Sequence, residues 1–269
     1  MTIKEIQEFA KDIRRTAVQL VHNTNTSHIG GSLSQADILA VLYSGILNIS
    51  PETVDSPLRD RFIESKGHCC SSLYAALALR GFIDRNDLME NFCRNGSLYF
   101  EHVSHKLPGI ELSTGSLGHG LPVACGMALG SKRSGNRYNV FCMIGDGEIN
   151  EGSNWEAIMF AVQHKLDNLC VILDKNKMQA LGCTTEILNL DPIADKIRTF
   201  GWNVIEIDGH DIAQIQDAFD NFRNNKDTPT FIIANTIKGK GVSFMENNLK
   251  FHYSAPNEAE MKIAMEELK

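Results

Sequence analysis

The chain has 269 residues, 43% of them hydrophobic, 22% charged and 7% aromatic, with 26 lysines and arginines against 33 acidic residues for a formal charge of −7. Folding at this size buries roughly 70–75% of the unfolded surface, so no metal or disulfide staple is required. The acidic balance weighs against nucleic acid or an anionic membrane as the main partner, and 21 glycines with 7 prolines exclude a low-complexity or fibrous chain.

In chain order, Ile3, Ile6, Ala10, Ile13, Ala17 and Leu20 recur at three- and four-residue spacings and predict an amphipathic helix over 3–22. This start is charged and lacks the apolar core of a secretion signal, and no 18-residue apolar run follows anywhere, so a cytoplasmic protein that spans no membrane is expected. Ser34 is suited to cap a helix running to Leu47, with Pro51 beyond its end. Residues 61–64 read as a short strand, 71–80 as a helix stopped by Gly81, and Asp84 as the cap of another short helix. A loop over roughly 95–114 carries His102, His105, Pro108 and Gly109, and loops of that length in compact domains are usually functional. Residues 121–132 follow as a helix rich in small side chains.

From Tyr138 the pattern changes. Strands at 139–144, 169–173, 203–207 and 230–235 alternate with helices at 154–165, 192–200 and 211–223, and a charged helix at 258–268 ends the chain. The strands are apolar without alternation, as strands covered on both faces are. The βαβ order implies an α/β fold, a parallel sheet with right-handed crossovers and helices on both faces. Nothing in the composition breaks at 138. A single domain over 1–269 is expected, with a helical part at 1–135, an alternating part at 138–236 and a tail at 237–269. The seven cysteines (69, 70, 93, 125, 142, 170 and 183) include no C-x-x-C pair, and several lie in apolar runs. They read as free thiols of a reducing compartment.

Ligands of such sheets sit beyond the carboxyl ends of the strands. There the sequence places Gly145-Asp146-Gly147-Glu148-Ile149-Asn150-Glu151-Gly152 after one strand and Asp174-Lys175-Asn176-Lys177-Met178 after the next, with Asp146 and Asn176 30 residues apart. If the two strands are neighbours, a carboxylate, an amide oxygen and a main-chain carbonyl near Met178 make a hard oxygen site suited to Mg²⁺ or Ca²⁺ with ligand phosphates. A following helix N-terminus can face an anion. Each residue also has a plainer reading: Asp146 as a strand-end turn former, Asn176 as a left-handed turn residue, and Glu151 as an acid favouring the helix dipole. The glycines match neither a dinucleotide fingerprint nor a Walker A loop.

The whole segment, Gly145-Asp146-Gly147-x-x-Asn150-Glu151-Gly152-x-x-Trp155-Glu156-Ala157 with Asp174-x-Asn176, resembles the thiamine diphosphate signature of transketolases. Ser27-His28-Ile29-Gly30, Lys66-Gly67-His68, Pro108-Gly109-Ile110-Glu111, Ser113-Thr114-Gly115-Ser116-Leu117-Gly118 and Lys238-Gly239-Lys240-Gly241 follow the same family in order. The resemblance covers nearly the full length and points to the N-terminal, diphosphate-binding half as a separate polypeptide.

The resemblance implies thiamine diphosphate and Mg²⁺ (or Ca²⁺) as cofactors, with metal ligands at Asp146, the side chain of Asn176 and the carbonyl of Met178. It implies cofactor contacts at His68, Gly115, Ser116, Leu117, Asp146, Gly147, Glu148, Asn176 and His252. Catalytic roles fall to His28, His102 and His252 around the donor sugar, and to Glu151 in a proton relay at a subunit interface. Imidazoles suit this work because their proton affinity lies near neutrality. His22, His164 and His210 read as structural, His105 is ambiguous, and Cys69 and Cys70 read as packing residues. Ile29 and Val103 stand where the family often has proline, and His119 where it often has glutamine. The implied reaction moves a two-carbon ketol unit from a ketose (phosphate) to an aldose. The implied partner is a C-terminal transketolase subunit that supplies the pyrimidine-binding domain and its glutamate, in a two-plus-two heterotetramer. A 1-deoxyxylulose-5-phosphate synthase-like or 2-oxo acid dehydrogenase-like thiamine enzyme, or a non-catalytic regulatory homologue, is the alternative.

Overall fold

In the computed structural model, which describes Met1–Lys269 throughout, Thr2 opens the first helix. Its hydroxyl accepts the Glu5 N–H at 3.3 Å while the Glu5 carboxylate accepts the Thr2 N–H at 2.6 Å, a reciprocal cap for α1 (Ile3–Thr24). Then come α2 (Ile29–Ser34), α3 (Ala36–Val41), β1 (Arg61–Glu64), α4 (Cys70–Leu79), α5 (Arg85–Asn91), α6 (Gly120–Ser134), β2 (Val140–Gly145) and α7 (Gly152–Gln163). The second half adds β3 (Leu169–Lys175), α8 (Thr184–Ile187), α9 (Ile193–Phe200), β4 (Asn203–Asp208), α10 (Ile212–Asn224), β5 (Thr230–Asn235), α11 (Lys250–Tyr253) and α12 (Glu258–Glu267). Asp84 caps α5 by accepting the Asp87 N–H at 2.8 Å, as its position predicts.

The five strands form one all-parallel sheet in the order β1-β2-β3-β5-β4. Side chains alternate across it. Phe141 and Met143 of β2 point into a core shared with α1, α3, α4 and α10, whereas Val140, Cys142 and Ile144 point into the opposite core, shared with α6, α7 and α9. A third apolar cluster joins α1 and α2 to the tail through Val18, Ile29, Leu33, Val242, Met245, Phe251 and Leu268. Six of the seven cysteines are at least half-buried, only Cys183 is exposed, and all are free.

One expected boundary is wrong. The helix predicted from Ser34 starts five residues earlier, at Ile29, and Ser34 lies inside it. The Ser34 hydroxyl donates to Asp174 Oδ2 at 2.6 Å and lies 2.9 Å from the Gly31 carbonyl oxygen instead of capping. Every residue of α2 is buried, so tertiary packing overrides the cap preference. The stretch to Leu47 is then broken at Gln35 and finishes in a wide turn over Leu42–Ile46, with Gly45 at φ 142°. Helices α8 and α11 have four residues each, too few to leave a periodic signal.

Candidate active site

The carboxyl ends of β2 and β3 are neighbours, with Gly145 opposite Asp174, which is the adjacency the oxygen site requires. Asp146 leaves the end of β2 and its carboxylate accepts the Lys177 backbone N–H at 2.5 Å, so it lies against the turn that follows β3. In that turn the left-handed residue is Lys177 (φ 66°), not Asn176. The Asn176 side-chain oxygen accepts the Met178 N–H at 3.1 Å, and the Met178 carbonyl accepts no hydrogen bond. Burial, with Asp174 adding to it, pushes the Asp146 carboxyl up to about 7. A buried carboxylate, an amide oxygen and a free carbonyl form a donor set whose electrostatic cost a hard divalent cation removes.

These groups open into a cavity of about 350 Å³. Along one side stand His28 at the start of α2, His68 ahead of α4, His102 on the long loop and His252 in α11. The His28 ring centre lies 5.0 Å from that of His68, 5.2 Å from His252 and 6.1 Å from His102. Burial lowers the proton affinity of His68, His102 and His252, the last to about 3 with Lys238 contributing, so all three are neutral imidazoles at physiological pH. Gly115 and Leu117 complete that wall, and a β-carbon at Gly115 would meet the His102 ring at 2.9 Å. Gly147, Glu148, Asn176 and Met178 also line the cavity.

Ser116, expected at the cofactor, and Glu151, expected in a relay at a subunit interface, do not line the cavity. Ser116 is exposed. Glu151 is exposed at the N-terminus of α7, where its side chain makes no capping hydrogen bond, and Gly118 (φ 84°) packs against its stem. Glu148 is in the wall, but its carboxylate holds the loop together. It accepts from the Ser65 hydroxyl, from Gly118 N at 3.0 Å and from Gly145 N at 3.3 Å. His210 is structural, bridging Asp37 Oδ2 at 2.7 Å and the Ile237 N–H at 2.9 Å. His105 pairs with Ser113 outside the cavity. Cys69 is buried, which pushes its thiol up to about 12 and leaves it a packing residue.

Sequence reasoning names Lys66 and Lys238 only as parts of motifs, yet both enter the site. Lys66 is buried and pairs with Asp174, whose carboxylate also accepts from Ser34 and Thr236. Burial acts to raise Asp174, and Lys66 with those hydroxyls overrides it, so the pair stays charged. Lys238 has no carboxylate partner; its ammonium donates to His252 Nδ1 at 2.8 Å. A buried, unpaired cation facing the cavity fits an anionic ligand. Glu101 is an unforeseen carboxylate beside His28.

Behind the floor, Glu64 is wholly buried. Its Oε2 accepts from Gln35 Nε2 at 2.9 Å, while Glu64 Oε1 and Gln35 Oε1 have no partner. Burial, reinforced by Asp174 and Glu148 against Lys66, pushes its carboxyl up to about 8. The folded chain therefore keeps a proton that the unfolded chain releases above its ordinary value, and stability falls as pH rises between the two. Glu64→Gln is expected to flatten that fall by a few kcal/mol, at ~1.4 kcal/mol per pH unit. Denaturant unfolding of both chains at pH 5 and pH 8 checks it; parallel losses would show that Glu64 is not the group responsible.

Residues 6–268 match the family described as transketolase, thiamine diphosphate binding domain. The chain is 43% identical over 270 residues to an apulose-4-phosphate transketolase subunit of Actinobacillus succinogenes, covering 100% of this chain and 98% of that one. It is 41% identical over 265 residues to a 6-deoxy-6-sulfo-D-fructose transketolase subunit of a Clostridium species, covering 98% and 96%. Its fold matches the crystal structure of Campylobacter jejuni transketolase with a TM-score of 0.94 at 32% identity, over 100% of this chain and 43% of that longer chain. Parallel sheet, glycine-flanked oxygen donors and histidine-lined cavity thus define a thiamine diphosphate-binding domain of a transferase. The chain belongs to the transketolase family.

Proposed function

We propose that this single domain is the diphosphate-binding subunit of a two-subunit transketolase, which moves a two-carbon ketol unit from a ketose to an aldose in the cytoplasm. The observation that carries the reading is the cavity itself: Asp146 and Asn176 at one end, an unpaired Lys238, and four histidines in one wall. In this reading Asp146, Asn176 and the Met178 carbonyl hold Mg²⁺ or Ca²⁺. His68, Lys238 and His252 hold the diphosphate, with Gly115, Gly147 and Leu117 closing around the cofactor. Ser116 shapes its turn from outside, and Glu148 contributes as the post that fixes the Gly118 and Gly145 backbones.

Thiamine diphosphate, when bound, supplies the electron sink that lets the ketose carbon–carbon bond break. The chain's own residues orient the donor, exclude water and move protons. His28 and His102 face the donor hydroxyls and exchange their protons; a neutral His102 can accept one directly. Leu117 offers an apolar surface that keeps water from the reacting centre.

The reading assigns the remaining groups, including the glutamate on the cofactor's aminopyrimidine, to a partner subunit in a two-plus-two assembly. Both relatives named as subunits match this chain over nearly their whole length, which supports it. So do the apolar side chains exposed on α7 and the segment after β3, Met159, Phe160, Leu181 and Leu188, and the exposed Glu151 that the relay would use. The names of the same relatives favour a ketose with a terminal phosphate or sulfonate as donor.

The test is reconstitution. The purified chain and a pyrimidine-domain partner, mixed with thiamine diphosphate and Mg²⁺, are expected to transfer a ketol unit without releasing CO₂, and the chain alone to transfer none. CO₂ release would move the protein to the decarboxylating thiamine enzymes. Absence of cofactor binding by calorimetry would make it a regulator.

A further inference from the structure

Glu101, on the long loop, reaches a segment 74 residues earlier in the chain. Its Oε1 accepts the Ser27 backbone N–H at 2.7 Å and the Ser27 hydroxyl, and lies 3.4 Å from His28 Nδ1. The Ser27 hydroxyl oxygen is also 2.8 Å from His28 Nδ1. A serine hydroxyl has one hydrogen to give. The His28 ring foremost, then the two Ser27 donors, hold the Glu101 carboxyl down at about 2, so it is an acceptor only. Ser27 must therefore spend its hydrogen on Glu101 and can only accept from His28. Both neighbours of Nδ1 are then acceptors, and Nδ1 must carry the hydrogen. In the neutral ring, His28 Nε2, which makes no hydrogen bond within the protein, is then the nitrogen that keeps its lone pair.

The backbone is held to the same end. His28 is a non-glycine residue at φ 66°, a sparsely populated conformation for it. Its N–H donates to the His252 carbonyl at 2.9 Å, its carbonyl accepts from Ser32 N at 3.3 Å, and Glu101 clamps the preceding N–H. Ring, tautomer and backbone are all fixed before any ligand arrives.

We propose that Glu101 is a positioning residue which, through Ser27, sets His28 in the Nδ1–H tautomer and presents Nε2 as the base toward the donor sugar. The assignment of a base rests on the transketolase reading above; the tautomer does not. Proton balance is simple: a donor hydroxyl gives its proton to Nε2, the imidazolium's Nδ1–H stays on Ser27 and Glu101, and the proton leaves Nε2 when a product hydroxyl re-forms. The Glu101 carboxylate stabilises the imidazolium between those steps.

Two measurements test it. In the full chain labelled with ¹⁵N-histidine, long-range ¹H–¹⁵N correlation is expected to show His28 as the Nδ1–H tautomer, its signals identified by their loss in His28→Gln. Ser27→Ala and Glu101→Ala should spread it over both tautomers. An Nε2–H tautomer in the unsubstituted chain, or one unchanged in both variants, overturns the proposal and needs no activity to be read. In the reconstituted pair, Ser27→Ala and Glu101→Gln should lower kcat about 10- to 100-fold, within the range of general acid–base contributions. Donor KM and cofactor affinity should change little, and Glu101→Asp should recover part of the loss. A rise in donor KM with kcat unchanged would overturn the positioning role. A pair inactive in every form would defeat the transketolase reading while leaving the tautomer decided.

Discussion

Asp146→Ala is expected to weaken metal-supported binding of thiamine diphosphate by about three orders of magnitude while leaving the fold intact. Asp146 is 8% exposed, sits at the end of β2, and takes one backbone N–H as its only hydrogen bond. Burial and Asp174 push its carboxyl up to about 7, so ionising this group near neutral pH is unfavourable in the apo chain. Removing it relieves that cost in the folded protein and deletes the only anionic donor of the oxygen site. Losing groups that merely orient a metal ligand typically costs 10–100-fold in affinity, so losing the ligand itself should cost more, about 1,000-fold. Calorimetric titration of cofactor with Mg²⁺ present reads the loss. Thermal melting of the apo variant should be unchanged or raised. Tight binding by the alanine variant would show that the cation, if any, is held elsewhere.

Most of the fold is legible in the sequence because its strands and long helices carry strong periodicity. β2 is apolar over 140–144 and β3 over 169–173, and α1 shows an unbroken three-to-four repeat, so their place and type follow from burial on two faces or one. Ser34 misleads because its hydroxyl has a better partner than the local backbone, Asp174, 140 residues away. No local rule contains that residue. The site divides the same way. Asp146, Asn176, Gly115, His28 and His68 sit in short motifs, so the family resemblance reaches them, and through the order of those motifs it reaches His102 and His252. Glu101 acts through a contact between distant segments, and Lys238, though it sits in a motif, is seen to lack a carboxylate partner only in the fold. Glu101 meets Ser27 across 74 residues, and a lone glutamate in a polar loop looks solvated until the fold closes. Glu148 shows the converse: its motif position suggests a ligand contact, whereas its neighbours Ser65 and Gly118 turn the carboxylate inward.

Lys238→Met should separate cofactor affinity from stability by moving them in opposite directions. The Lys238 stem lies over Gly30, where an added β-carbon would meet it at 3.0 Å, and the residue is 2% exposed. Methionine has a comparable length and can follow that stem. The ammonium makes no ion pair, and burial lowers its proton affinity, so in the apo chain only the His252 hydrogen bond offsets its desolvation cost. The apo variant is therefore expected to melt no lower than the parent. A bound diphosphate would lose its nearest unpaired cation. Taking roughly 3 kcal/mol for one partner of a buried charge pair, affinity should fall about 100-fold. The metal requirement distinguishes this loss from that at Asp146. At saturating cofactor, Lys238→Met should need no more Mg²⁺ than the parent, whereas Asp146→Ala should need far more. Loss of affinity together with a lower melting temperature would assign Lys238 to the scaffold, and unchanged affinity would remove it from the diphosphate site.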